Sequence, residues 1–324
     1  MSERPLTLVT GGAGYIGAVL VPELVASGRR VRVLDSVVHG VVPALLTEGG
    51  GDVEFVRGDV RDELTRRQVL EGVDEVVHLA AIVGDPACAR HPGDARAVNL
   101  EATLRLVREA HEAGATRFVF ASTCSNYGKL DTDELATEEW PLKPVSLYAE
   151  TKVAAELDVL AQSANGFLTT CLRFATVYGA SPRMRFDLTV NEFTRDLVLG
   201  RELVVYGEGF WRPYVHVKDA ARAVVIALDA PADAVHSQVF NVGDSNENYR
   251  KLDLVEILRA RIPRTSVSFV KRDEDPRDYR VSFEKIHRTL GYSVSVTVPA
   301  GIDEVAELVA SGKIADPDSA QYRN

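Results

Sequence analysis

Tyr148 and Lys152 stand four residues apart in Tyr148-Ala149-Glu150-Thr151-Lys152. On a helix that spacing puts a phenol and an ammonium on one face. A cation beside a phenol lowers its pKa, and the resulting phenolate can act as a base. Such pairs also occur on solvated helix faces, so position must decide. This one lies downstream of an apolar run ending Ala121-Ser122-Thr123, and the Thr123 hydroxyl can bond the same substrate hydroxyl. A second constellation is Thr10-Gly11-Gly12-Ala13-Gly14-Tyr15-Ile16-Gly17. Gly11, Gly14 and Gly17 permit a tight turn, close approach of backbone to a pyrophosphate, and close helix packing, with a helix N-terminus facing the phosphates. About 20 residues on, Asp35 ends the second apolar run. A carboxylate there accepts bonds from both adenosine ribose hydroxyls and repels a 2′-phosphate, which favours NAD over NADP. Asp59, in Gly58-Asp59-Val60, either meets the adenine edge or caps a strand.

These groups need strands and helices in alternation to hold them. Pro5–Thr10, Arg30–Asp35, Val53–Gly58, Glu75–Leu79 and Arg117–Ser122 read as strands, rich in Val and Phe and bounded by Gly, Asp or Ser. Ala18–Ala26, Leu100–Ala113 and Tyr148–Leu160 carry apolar residues at helical spacing. The alternation predicts an α/β fold with a parallel sheet covered on both faces. After Gly179 the pattern loosens into short strands (Leu203–Tyr206, Tyr214–Val217, Val239–Val242) and helices near Phe186–Leu199, Ala220–Leu228 and Leu252–Arg261. The division expected is a dinucleotide-binding domain over 1–178 plus about 214–243, and a smaller lobe over 179–213 and 244–324. The polar end, from about Asp316, is expected to fray.

A chain of 324 residues with 26% charged residues is long enough for a sizeable core and ordinary in make-up. Its net charge of −10 disfavours nucleic acid as a partner, so a phosphate site must be built locally from arginines and backbone N–H groups. No apolar stretch of about 18 residues appears, so no membrane span is expected. Met1-Ser2-Glu3-Arg4-Pro5 does not resemble a signal peptide, which makes the cytoplasm the expected compartment. Cys88, Cys124 and Cys171 are odd in number and scattered, as reduced thiols are, and no spacing of Cys or His suggests a metal.

Together with His78-Leu79-Ala80-Ala81, Asn99, Arg173…Tyr178-Gly179 and Arg212-Pro213-Tyr214-Val215-His216-Val217, these motifs resemble the extended short-chain dehydrogenases/reductases of the nucleotide-sugar epimerase and dehydratase type, over nearly the whole length. The resemblance implies a Rossmann doubly wound sheet with a C-terminal substrate-binding lobe, NAD held through turnover, a nucleotide-diphosphate sugar as substrate, and a homodimer formed through paired helices. It implies that Tyr148 is the base, that Lys152 binds the nicotinamide ribose and tunes Tyr148, and that Thr123 assists at the sugar hydroxyl. The cofactor pocket is expected from Gly11, Gly14, Tyr15, Ile16, Gly17, Asp35, Asp59, Val60, Leu79, Ala80, Ala81, Asn99, Ser122, Tyr148 and Lys152. Substrate contacts are expected from Thr123, Thr176, Asn191, Arg212 and Arg277, and from at least one of Arg183 and Arg185. His78 and Asn99 are expected to shape the pocket, His216 to be structural, and Asp219 to cap a helix.

Members of this family share an opening oxidation at carbon 4 of the sugar and then diverge. The 4,6-dehydratases carry an Asp-Glu pair directly after the threonine; here Cys124 and Ser125 stand there, and Ser125 cannot do a carboxylate's work as a base at neutral pH. A 4-epimerase needs only Thr123, Tyr148, Lys152 and NAD, and is the expected activity. The alternatives are reduction of a preformed 4-keto sugar, and 3/5-epimerisation or dehydration using Cys124 as acid/base. A non-enzymatic NAD sensor is a remote one, since the Tyr/Lys pair is intact. Trp211, just before Arg212, is expected to pack rather than to stack on a base or sugar.

Overall fold

The computed structural model describes residues 4–324 except 41, 45, 47–49, 131, 264–265 and 271–276; Met1–Glu3 of the N-terminal reading lie outside them. Its main sheet has seven strands. In chain order these are β1 (Leu6–Thr10), β2 (Arg30–Asp35), β3 (Val53–Arg57), β4 (Glu75–His78), β5 (Arg117–Thr123), β6 (Leu168–Phe174) and, after the strands of the lobe, β10 (Gln238–Val242). Their spatial order is β10-β6-β5-β4-β1-β2-β3, and every neighbouring pair is parallel. A sheet of this kind needs apolar cover on both faces. The helices Gly17–Ala26 and Val217–Asp229 supply Leu20, Leu24, Val224 and Leu228 to the core on one face. The helices Thr103–Glu112 and Leu147–Ala161 supply Leu106, Val107, Ala155 and Val159 on the other.

The strand order reverses direction between β1 and β4. At such a switch point the loops after two neighbouring strands diverge and leave a crevice at the carboxyl ends. The glycine-rich turn follows β1, and Leu79–Ala81 follows β4, so both motifs line that crevice.

The lobe carries its own small sheet of β7 (Thr176–Tyr178), β9 (Trp211–His216) and β11 (Asn248–Arg250), in the order β11-β9-β7. A parallel pair, β8 (Glu202–Tyr206) and β12 (Ser266–Val270), lies beside it. Its core joins Tyr178, Phe193, Leu197, Leu203, Tyr214, Leu254, Leu258 and Ile302. Two expectations change here. The boundary moves, because β7 and β9 pair with each other and not with the main sheet: the lobe begins at Thr176, and the chain returns to the first domain at Val217. The polar end does not fray. Phe186 N–H donates to Tyr322 O at 2.8 Å, and the Tyr322 ring meets Phe186 edge-on at 5.7 Å, so an aromatic anchor holds the segment after Asp316.

Candidate active site

The glycine-rich turn is built so that nothing larger fits. Gly11 has φ +73°, and a Cβ there would stand 2.8 Å from Ala80 N; one on Gly17 would stand 2.5 Å from Gly11 O and from Gly12 Cα. The turn thus packs directly on the β4 loop and on itself, leaving its backbone bare toward the crevice. Asp35 closes the cradle: its carboxylate accepts from Ala13 N–H at 3.0 Å and from Val37 N–H at 2.8 Å. Burial raises its pKa, with those two bonds opposing. This is the arrangement a dinucleotide requires, with bare backbone for the phosphates and an oriented carboxylate for a ribose. Val60 is buried in the sheet core, and Asp59 at the β3 end is forked with Arg61 at 2.7 Å, which lowers its pKa.

Tyr148 and Lys152 occupy the first two turns of the helix Leu147–Ala161. Ser146 starts that helix by accepting from Ala149 N–H at 3.3 Å, while its own hydroxyl donates to Asp85 at 2.6 Å. Lys152 points into the sheet. Its Nζ donates to Ala121 O at 2.8 Å and sits 4.6 Å from the centre of the Phe120 ring. Burial lowers its pKa to about 8, so the ammonium persists at neutral pH. For Tyr148, burial pushes the phenol up, Cys88 and Asp85 add to the rise, and Arg185 opposes it. Among the protein's own groups desolvation outweighs the charges that would lower the phenol. Thr123 ends β5 beside this pair; its oxygen accepts from Ser125 N–H at 3.1 Å, leaving its proton to donate.

Several expected site residues have other work. Ser122 Oγ donates to Glu156 at 2.5 Å, and Glu156 in turn pairs with Arg173 at 2.6 Å, all of them buried. Cys124 turns into the core and donates to Arg173 O at 3.2 Å; burial holds its thiol well above the usual range. A thiol so placed faces away from the crevice and stays protonated. Asn99 spends its amide on Ile82, accepting from the N–H at 2.8 Å and donating to the carbonyl at 2.9 Å, and so shapes the β4 loop. Asn191 donates to Tyr15 Oη at 3.1 Å and to Arg185 O at 2.9 Å, and accepts from Gly179 N–H at 2.9 Å. Fully buried and fully bonded, it holds the segment 179–187 in shape instead of meeting a ligand. Trp211 is half-buried and lies against two guanidiniums, Arg250 at 5.4 Å and Arg280 at 5.0 Å. His216 bonds Glu304 at 2.7 Å and caps the helix Val217–Asp229 by accepting from Lys218 N–H; Asp219, expected as the cap, instead lies in the first turn and accepts from Ser295 and Val296 N–H groups.

The lobe contributes cations. Arg212 sits 5.4 Å from the Tyr279 ring, and Arg277 pairs with Asp85 at 3.1 Å, bridging lobe and first domain. Thr176 heads β7, paired with Tyr214. Arg185 forks onto Asp187 at 2.6 Å and 3.0 Å. Four residues that sequence reasoning passed over also belong here. Tyr279 is buried, its hydroxyl 3.3 Å from Ser125 Oγ. Asp85 is bonded by Ser146 and Arg277, and Cys88, not Cys124, is the thiol that acts on Tyr148 and Lys152. His39 has its pKa lowered to about 4 by burial and by Arg183 and Arg185. Among the described residues no cluster of His, Cys, Asp or Glu could hold a metal, and no helix is long and apolar enough to cross a membrane.

Comparison with known proteins agrees with this geometry. Residues 7–243 match the family model described as the NAD dependent epimerase/dehydratase family. A dTDP-glucose 4,6-dehydratase of Actinoplanes sp. is 33% identical over 92% of this chain and 95% of its own length. A UDP-glucose 4-epimerase of Corynebacterium glutamicum is 29% identical over 88% of this chain and 90% of its own. Among solved structures, MoeE5 in complex with UDP-glucuronic acid and NAD superposes with a TM-score of 0.82 at 29% identity, covering 94% of this chain and 99% of that one. The chain belongs to the NAD-dependent epimerase/dehydratase family, the extended short-chain dehydrogenases/reductases that act on nucleotide sugars.

Proposed function

We propose that the protein is an NAD-dependent nucleotide-sugar 4-epimerase working through a transient 4-keto sugar. The observation that carries this reading is the segment Thr123–Tyr127. Thr123 ends its strand with its hydroxyl proton uncommitted, Cys124 is buried in the core, and Ser125 is bonded to Tyr279, so the two residues after the threonine supply no carboxylate. NAD, held by the glycine-rich turn and Asp35, would supply the hydride acceptor and donor. Tyr148 takes the proton of the 4-hydroxyl and later returns it, Thr123 donates to the same oxygen, and Lys152 holds its charge beneath them. The phenol, raised by burial, needs a cation beside it to ionise, and the nicotinamide ring brings one. Arg212 and Arg277 supply positive charge for the substrate's diphosphate. Leu157, 60% exposed on the helix that carries Tyr148, supports a homodimer through that helix.

Dehydration has one observation in its favour, Asp85, a carboxylate that acts on Tyr148. Both its oxygens are engaged, one by Ser146 and one by Arg277, which suits a spacer better than a shuttling acid. The test is a panel of nucleotide sugars incubated in heavy water without added NAD and followed by NMR. A 4-epimer free of deuterium is expected. Deuterium at carbon 3 or 5, or a 4-keto-6-deoxy product, overturns the reading. Tyr148→Phe should lower kcat by about 10²–10⁴-fold, the range for a lost acid/base, while NAD stays bound; a sensor would keep its ligand response.

A further inference from the structure

We infer that Arg183 is a cofactor residue borne by the lobe: its guanidinium is the positive charge that meets the pyrophosphate of the bound dinucleotide, not the diphosphate of the substrate. The inference rests on the NAD binding of the family. Three observations carry it.

The first is a charge without a counter-charge. Five other buried arginines each reach a carboxylate: Arg29 meets Glu75 at 2.7 Å, Arg66 meets Glu109 at 2.7 Å, Arg173 meets Glu156 at 2.6 Å, Arg185 meets Asp187 at 2.6 Å, and Arg195 meets Asp196 at 2.7 Å. Arg183 is 2% exposed, yet no carboxylate among the described residues lies within ion-pair distance. Burial lowers its pKa only to about 10, so the group remains charged at neutral pH. A buried, unpaired cation is costly unless an anion joins it.

The second is an unsatisfied donor. One terminal nitrogen, Nη2, donates to neutral acceptors, Arg323 O at 3.2 Å and Asn324 Oδ1 at 2.8 Å, while Nε is buried with no hydrogen-bond partner. The guanidinium fork matches two phosphate oxygens, which such a free edge can accept.

The third is location. The segment 179–187 is fastened to the glycine-rich turn itself. Ser181 Oγ donates to Tyr15 O at 2.8 Å, and Tyr15 Oη donates to Gly179 O at 2.6 Å. Arg183 follows two residues after Ser181, and it acts electrostatically on Asp35 and His39, at the ribose end of the cradle. Arg212 and Arg277 act instead on Tyr279, at the sugar end. The two diphosphates therefore have separate cations, and Arg183 stands with the cofactor's.

The test uses the full chain as wild type, Arg183→Gln and Arg183→Lys, each checked for folding by its melting curve. NAD per chain is measured after purification, and Kd is measured for NAD and, separately, for UDP and dTDP. Arg183→Gln is expected to weaken NAD at least tenfold, Arg183→Lys to recover part of it, and the nucleoside diphosphates to bind within twofold of wild type. Unchanged NAD affinity, or a loss for UDP or dTDP as large as that for NAD, overturns the assignment. Should Arg183→Gln not fold, Asn324→Ala removes one acceptor of the same guanidinium, and NAD affinity must then change while that for the nucleoside diphosphates does not. A wild-type chain that binds no NAD would instead remove the family-level premise, a result distinct from either.

Discussion

On the sheet wall of the cleft, the cofactor end is made of backbone. Gly11 and Gly17 bring main chain against main chain, and Asp35 is fixed by two N–H groups only a few residues from the turn or from itself. On the lobe wall, the facing surface is made of side chains. Arg183, Arg212 and Arg277 are aimed by partners as distant as Asn324, Tyr279 and Asp85, and Arg185 by Asp187 two residues on. The first wall is stiff because a shift there breaks van der Waals contact with backbone. The second can be re-aimed by changing one side chain. The sheet wall should therefore respond to mutation as loss of fold or cofactor, and the lobe wall as loss of affinity with the fold intact.

The largest effect is expected beneath the sheet wall. Glu156→Ala would strand Arg173 in the core and cost about 3–5 kcal/mol, the usual penalty for a broken buried pair; urea denaturation measures it, and a loss under 1 kcal/mol would show the pair to be dispensable. Gly17→Ala forces a Cβ into Gly11 O and should cost about 2–3 kcal/mol together with NAD binding, read by denaturation and calorimetry. Acid comes next. His78 is held neutral between Thr10 at 2.6 Å and Thr103 at 2.8 Å, its pKa lowered to about 3 by burial. The unfolded chain protonates first, near pH 6.5, so stability is full above that value and falls with pH toward 3, by about 2 kcal/mol at pH 5. Glu304, lowered to about 2, chiefly by its bonds from His216 and Lys218 against the opposing cost of burial, adds stability above pH 4.5 that is lost as pH falls toward 2. Denaturation at pH 7, 5 and 4 checks both, and stability that held flat between 7 and 5 would contradict the His78 account. The smallest effect belongs to the lobe wall: Tyr322→Ala removes the edge-on contact with Phe186 and should cost about 1 kcal/mol, with NAD affinity falling more than the melting temperature suggests.

The same contrast explains what could be read from sequence. β1, β2 and β4 and the glycine turn were legible because their determinants are local: Val-rich runs, glycines at fixed spacing, an acid at the strand end. Tyr148 and Lys152 were legible because a helix converts spacing of four into one face. β6 escaped notice, since Thr169, Thr170 and Arg173 make it look polar; it is buried because Thr170 donates to Val235 O at 3.0 Å and Arg173 pairs with Glu156. Cys124 follows Thr123 in sequence, but the strand end turns it into the core, whereas Cys88, sixty residues from Tyr148, arrives beside the catalytic pair on the helix Asp85–Arg90. The anchored end was illegible because Phe186 and Arg183, which hold it, lie more than 130 residues away.

The most direct test of the account follows the hydrogen at carbon 4. A nucleotide sugar bearing deuterium there, mixed with unlabelled sugar and the enzyme without added NAD, should give a 4-epimer that keeps its deuterium at carbon 4, with no exchange between labelled and unlabelled molecules. Deuterium found at carbon 6, or shared between molecules, would contradict a hydride that leaves and returns within one closed site.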